Sequence, residues 1–381
     1  MTSCRVVVKV GTRLLTGSTG RLDPGYIESL VSQIAHLQGE GKELILVSSG
    51  AIGAGMGRLR MEHRPESIPE KQAAAAVGQG LLIQTYEKLF SRHGLIAAQV
   101  LLTRADLVSR RRYINARNTL RCLLGWGVIP IINENDTVSA EEIKFGDNDQ
   151  LSALVAGLID AQLLIILTTV DGFYRGDPCR DPEAELIPVV NNITPQLKSW
   201  AGRSTDELAT GGMVTKLLAA EIATSSGTGV YIANGTAPDI LKRIISGETV
   251  GTYFRPRKRY LNHRKRWIAY GRVVKGSVTV DDGARRALCR GGKSLLPVGV
   301  VGVKGSFKIG DLIAMQDLEG RELGRGLSNF SSATLARLKG YTSSEIATTL
   351  GDSARPEEVI HRDNMVIYSF ERRGKDAFRG C

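Results

Sequence analysis

The chain has 381 residues, 42% hydrophobic and 23% charged, with 43 glycines, which fits two α/β globular domains, or three small ones, rich in tight turns. No apolar run approaches the roughly 18 residues that a bilayer span needs, and Met1–Arg5 leads straight into a strand rather than a signal peptide. Five scattered cysteines without a CxxC pair argue against a disulfide framework or a zinc site, so a cytoplasmic protein without membrane attachment is expected.

The charge divides the chain. Residues 255–381 hold 25 Lys and Arg against 13 Asp and Glu, so the net +11 of the whole belongs to the C-terminal third. Arg255–Arg266 alone packs seven cations into twelve residues without an acid. Such a block is either a solvated linker or a nucleic-acid contact. The expected organisation is a catalytic domain over 1–255, a basic linker over 256–274, a small domain over 275–355 and an extension over 356–381.

In chain order, strand-like apolar runs fall at Val6–Val10, Glu43–Val47, Ala97–Leu102, Val128–Ile132, Leu163–Leu167 and Gly229–Ala233. Helix-like stretches lie between them, around Pro24–Gln38, Lys71–Phe90, Tyr113–Leu124, Gln150–Leu158 and Met213–Thr224. Alternation at this spacing predicts βαβ units and an open, mainly parallel sheet sandwiched by helices. Beyond residue 270 short β-branched segments separated by Gly and Asp predict a small β-barrel-like domain: Gly276–Val280, Leu296–Val300, Gly302–Phe307 and Leu312–Met315. Pro356–His361 is expected to add a helix and Met365–Tyr368 an edge strand.

Chemistry concentrates where strands end. Lys9 sits inside an apolar strand before Gly11-Thr12, placed to neutralise phosphate; a solvent-facing edge lysine is the plainer reading. Val47-Ser48-Ser49-Gly50 runs into Gly53, Gly55 and Gly57, where backbone N–H groups and a helix N-terminus suit an anion, although neither a P-loop nor a dinucleotide fingerprint fits. Asn133-Glu134-Asn135-Asp136 follows one strand, and Phe145-Gly146-Asp147-Asn148-Asp149 opens a helix. Gly211-Gly212 starts another helix with Lys216 in its second turn, and Thr168-Thr169 ends a strand. Two lysines, two glycine turns and two acid-amide loops point to phosphoryl transfer to a small anion. That chemistry needs positioning and charge neutralisation rather than a covalent helper. A carboxylate acceptor needs no base, and none of the five histidines lies in these loops.

Lys9-Val-Gly-Thr12, Ser48-Ser-Gly-Ala51, Asn133–Asp136, Phe145–Asp149 and Gly211–Lys216 together resemble the glutamate 5-kinases of the amino acid kinase family, across residues 1–255. Arg285-Arg-Ala-Leu288 and Gly291–Pro297 resemble a PUA domain. The resemblance implies ATP and Mg²⁺, with L-glutamate as acceptor. Lys9 and Lys216 would neutralise the moving phosphoryl group, and Asp149 would hold both. Ser49, Asp136 and Asn148 would bind glutamate, supported by Asn133 and Asp147. Lys9, Thr168, Thr169 and the turn Thr210, Gly211, Gly212, Met213, Val214, Thr215, Lys216 would meet the nucleotide. Many relatives carry Thr-Asp where this chain has Thr168-Thr169, which loosens the nucleotide assignment there. Feedback inhibition by proline, a homo-oligomer and RNA contact by the PUA domain are further implications. The competing reading, an RNA-binding protein with a relict kinase domain, rests on the basic C-terminal third. It is opposed by few stacking aromatics (6% in all) and a complete set of lysines and acids.

Overall fold

Continuous apolar runs are buried on both faces only inside a sheet that helices cover on each side. Six strands make up most of one, with the less buried β3 on an edge: β1 (Arg5–Val10), β2 (Glu43–Ser48), β3 (Ala97–Leu102), β4 (Ile129–Glu134), β5 (Leu163–Thr168) and, after the short β6 (Val189–Val190), β7 (Gly229–Asn234). In the computed structural model these six are parallel, in the order β3-β4-β2-β1-β5-β7, and β8 (Thr252–Phe254) joins antiparallel to β7 and carries β6 at the far edge. The structure describes residues 4–17, 21–138, 148–178, 181, 183–201, 212–257, 268, 274–342, 345 and 358–368. Among these, no helix is long and apolar enough to cross a membrane.

The helices of this unit are α1 (Thr12–Thr16), α2 (Pro24–Gly39), α3 (Ala51–Leu59), α4 (Ile68–Ser91), α5 (Arg104–Val108), α6 (Arg110–Gly125), α7 (Asn148–Leu158), α8 (Pro195–Ala201), α9 (Met213–Ser225) and α10 (Ile240–Ile245). Strand side chains alternate between two cores. Val6, Val8, Val10, Leu44, Leu46, Ile129 and Ile131 pack on α2, α4 and α10. Val7, Ile45, Val47, Ile132, Leu164 and Ile166 pack on α6, α7 and α9. That parity decides which way each strand exit points, and so builds the site.

Helix α4 begins three residues before the expected Lys71. Ser67 caps it through the N–H of Glu70, whose side chain returns to the N–H of Ser67. It lies unusually close to α3. A Cβ on Gly55 would sit 1.8 Å from the carbonyl oxygen of Ala74, and one on Gly78 would sit 1.8 Å from that of Ala51. Only glycine permits this approach. Gly55 therefore serves the packing of the two helices. Gly50 takes φ +97°, a left-handed turn at the start of α3.

The chain divides into two compact units, Met1–His263 and Arg264–Cys381. The second holds β9 (Gly276–Val280), α11 (Asp282–Gly291), β10 (Val300–Gly305), β11 (Leu312–Gln316), β12 (Glu322–Leu327), α12 (Ser332–Leu338) and β13 (Met365–Ile367). Its sheet runs β10-β9-β11-β12-β13, with β13 on an edge as expected. Two expectations fail. Pro297, which cannot donate to a ladder, starts a 3-10 turn, so the predicted strand Leu296–Val300 begins only at Val300. Of the predicted helix Pro356–His361, residues 358–361 are described, and none is helical: Ile360 bridges Leu295, and Val359 and Ile360 are wholly buried. Two adjacent β-branched residues with buried side chains disfavour a helix there.

Candidate active site

Lys9 occupies the position on β1 that shares a face with Val7, so its ammonium points under α7 and α9 rather than to solvent. Its Nζ lies 2.6 Å from Oδ1 of Asp149, in the first turn of α7. The second oxygen of the same carboxylate is 3.2 Å from Nζ of Lys216 on α9, and it accepts from the hydroxyl of Thr215 at 3.0 Å. Asp149 is 0% exposed, Lys9 3% and Lys216 6%. One buried carboxylate thus contacts two cations that lie far apart in the sequence. Burying such charges is costly unless they are paired and hydrogen-bonded.

Beside it lies a chain of amides. Ser48 and Ser49 point to opposite faces, as strand parity requires. The Ser48 hydroxyl meets that of Tyr86 on α4 at 2.9 Å. Burial holds the Tyr86 phenol well above its ordinary pKa, so that hydroxyl keeps its proton. Ser49 faces α7, where Asn148 donates to its hydroxyl at 2.9 Å. Asn148 also donates to Oδ1 of Asn133 at 2.9 Å and to the Ser48 carbonyl at 3.2 Å. Asn133, at the end of β4, donates to Oε1 of Gln79 on α4 at 2.7 Å.

At the exits of β5 and β7, the Thr168 carbonyl accepts from the N–H of Gly235. Nearby, Asp171 accepts from Asn234 (2.9 Å) and from the Tyr174 hydroxyl (3.3 Å). Asn234 in turn accepts from the backbone and hydroxyl of Thr236. Thr168 is half-buried and Thr169 exposed. Gly212 precedes the first turn of α9, and Met213, Val214 and Thr215 form it. Asp136 lies half-buried in the turn that follows β4. Asp147, Thr210 and Gly211 fall outside the described residues.

The amino acid kinase family model matches residues 5–234, and the PUA domain model matches residues 276–350. A glutamate 5-kinase of Moorella thermoacetica is 49% identical over 363 residues, 95% of this chain and 96% of its own. One from Caldanaerobacter subterraneus is 51% identical over the same length, covering 97% of that relative. The chain belongs to the amino acid kinase family, in its glutamate 5-kinase branch. A weaker likeness among solved structures is to the isopentenyl phosphate kinase of T. acidophilum, at 18% identity and a TM-score of 0.47 over 66% of this chain and all of that one.

In this amino acid kinase, Lys9, Asp149 and Lys216 form one cluster, and Ser49, Asn133 and Asn148 form a second one residue away along α7. Motif reading missed Gln79 and Tyr86. They are seven residues apart on one face of α4, inside an alanine-rich stretch that carries no motif. The one available signal was Gln79 set between Gly78 and Gly80. The network of Asn234, Asp171 and Tyr174 was missed as well.

Proposed function

We propose that the chain transfers the γ-phosphoryl group of ATP to the γ-carboxylate of L-glutamate, giving L-glutamyl 5-phosphate, the first step of proline biosynthesis. The observation that carries this reading is the Lys9–Asp149–Lys216 bridge. It holds two ammonium groups around one carboxylate in a protected spot. A carboxylate of ordinary pKa, about 4.3 for a glutamate side chain, is already ionised at neutral pH. One of its oxygens attacks phosphorus as the bond to the ADP oxygen breaks, in line, and no proton moves. Charge spreads over the transferred oxygens, and fixed cations stabilise it without reorganising.

Ser49, Asn148 and Asp136 bind glutamate in this proposal, with Asn133 and Asp147 in support. Thr168, Thr169 and the stretch from Thr210 to Lys216 meet the nucleotide. The first-turn N–H groups of α9 suit a phosphate, since no side chain caps that helix among the described residues. Mg²⁺ rides on the ATP phosphates and draws charge from them in this reading. Proline as feedback inhibitor, a homo-oligomer and RNA contact by residues 276–350 are further parts of the reading.

The test is ATP-dependent hydroxamate formation with L-glutamate, N-acetylglutamate and aspartate. Product from glutamate alone is expected, and Lys216→Ala should cut kcat by about 10²–10³-fold. No product from any of the three, or a fully active Lys216→Ala enzyme, would overturn it.

A further inference from the structure

The amide chain has a direction, and it can be fixed without reference to how oxygen and nitrogen were assigned. The backbone N–H of Glu134 points at one terminal atom of Asn133, at 2.9 Å. An N–H only donates, so that atom is Oδ1. The other terminal atom, facing Gln79, is therefore Nδ2, and the Gln79 atom that receives it is Oε1. At the next link, the Ser48 carbonyl and Asn133 Oδ1 both face the same terminal atom of Asn148, which must then be Nδ2. Two independent backbone groups thus orient both asparagines.

The consequence falls on the remaining atom. Oδ1 of Asn148 is buried and accepts no hydrogen bond among the described residues. A buried acceptor left unmet costs free energy until a donor reaches it. We propose that Gln79 is a positioning residue that locks Asn133, and through it Asn148, so that Asn148 Oδ1 stands ready for the substrate's ammonium group. This rests on the glutamate reading above and adds which polarity the pocket presents. Asn133 is nearly fully buried, so losing its Gln79 acceptor leaves its own NH₂ group unmet and frees the amide to turn. The close seating of Gly78 against α3 holds the neighbouring Gln79 at the required depth.

The experiment is a double-mutant cycle on the full chain, with Gln79→Met and Asn133→Ala, reading KM for glutamate, KM for ATP and kcat by hydroxamate formation. Gln79→Met keeps the side-chain length and removes the acceptor. It should raise the glutamate KM by roughly 10-fold, with ATP KM and kcat within about threefold. In the Asn133→Ala background the same substitution should add less than about twofold, because its target is gone. Gln79→Glu, whose carboxylate still accepts from Asn133, should recover most of the loss, and Gln79→Leu, which also lacks the acceptor, replaces Gln79→Met if that variant folds poorly. Glutarate, lacking the amino group, should compete with an unchanged Ki in Gln79→Met. Additive effects, an equal loss for glutarate, or an unaltered glutamate KM would each overturn the relay. A parent enzyme inactive on glutamate would instead sink the functional reading beneath it.

Discussion

Replacing Asp149 with Asn removes a charge that both lysines contact while keeping the side chain's shape. Lys9 and Lys216 would then face a neutral amide at the places where carboxylate oxygens now lie 2.6 and 3.2 Å away. At an effective dielectric of about 20, each lysine loses roughly 5–6 kcal/mol of attraction. Part of that was already offset by the cost of burying the charges, and breaking a buried pair typically costs about 3–5 kcal/mol net. For a unit of this size that is a fall in Tm of about 6–20 °C. The catalytic effect is separate. Ammonium groups that repel one another no longer converge on the transferred phosphoryl group, and kcat should drop by about 10²–10³-fold. Calorimetry and the hydroxamate assay, run well below the new Tm, measure both. An Asp149→Asn enzyme with Tm within about 2 °C of the parent and kcat within about threefold would refute the bridge. Lower Tm with unchanged kcat would refute its positioning role alone.

Asp136→Ala should raise the KM for glutamate by about 10-fold and leave that for ATP unchanged in steady-state kinetics, since the acid stands in the turn after β4 that is assigned here to glutamate. Gly78→Ala forces a methyl to within 1.8 Å of a backbone oxygen. The separation of α3 and α4 should cost about 1–3 kcal/mol, read as a lower Tm in thermal unfolding, with a higher glutamate KM as Gln79 moves. A chain ending at His263 should fold and keep its kinase activity. The apolar side chains of its two cores all come from the first unit, and solubility with a cooperative melt checks it.

Much of the sheet was legible because buried parallel strands must be apolar throughout, and the chain spells them as Val6–Val10 and Leu163–Leu167 without interruption. Lys9 stood out for the same reason, as a charge where the pattern forbids one. Asp149 was visible because a carboxylate beginning an otherwise apolar helix has no packing purpose. Gln79 and Tyr86 were invisible because polarity at two positions of a long helix is ordinary. Their importance comes from α4 crossing beneath β2 and β4, a tertiary fact. The packing roles of Gly55 and Gly78 passed unnoticed on similar grounds: a glycine needed for close approach of two helices looks like one needed for a turn. Val359-Ile360 shows the reverse failure. A short apolar run near acids suits either backbone, and only its partner, Leu295, decides.

The opposite facing of Ser48 and Ser49 has a consequence for how this family can vary. A single codon gained or lost within residues 43–49 would exchange the two hydroxyls, turning the Tyr86 partner toward α7 and the Asn148 partner into the α4 core. Substitution can tune this stretch, but change of length cannot, so alignment gaps between working relatives should skip it and settle in the loops on either side.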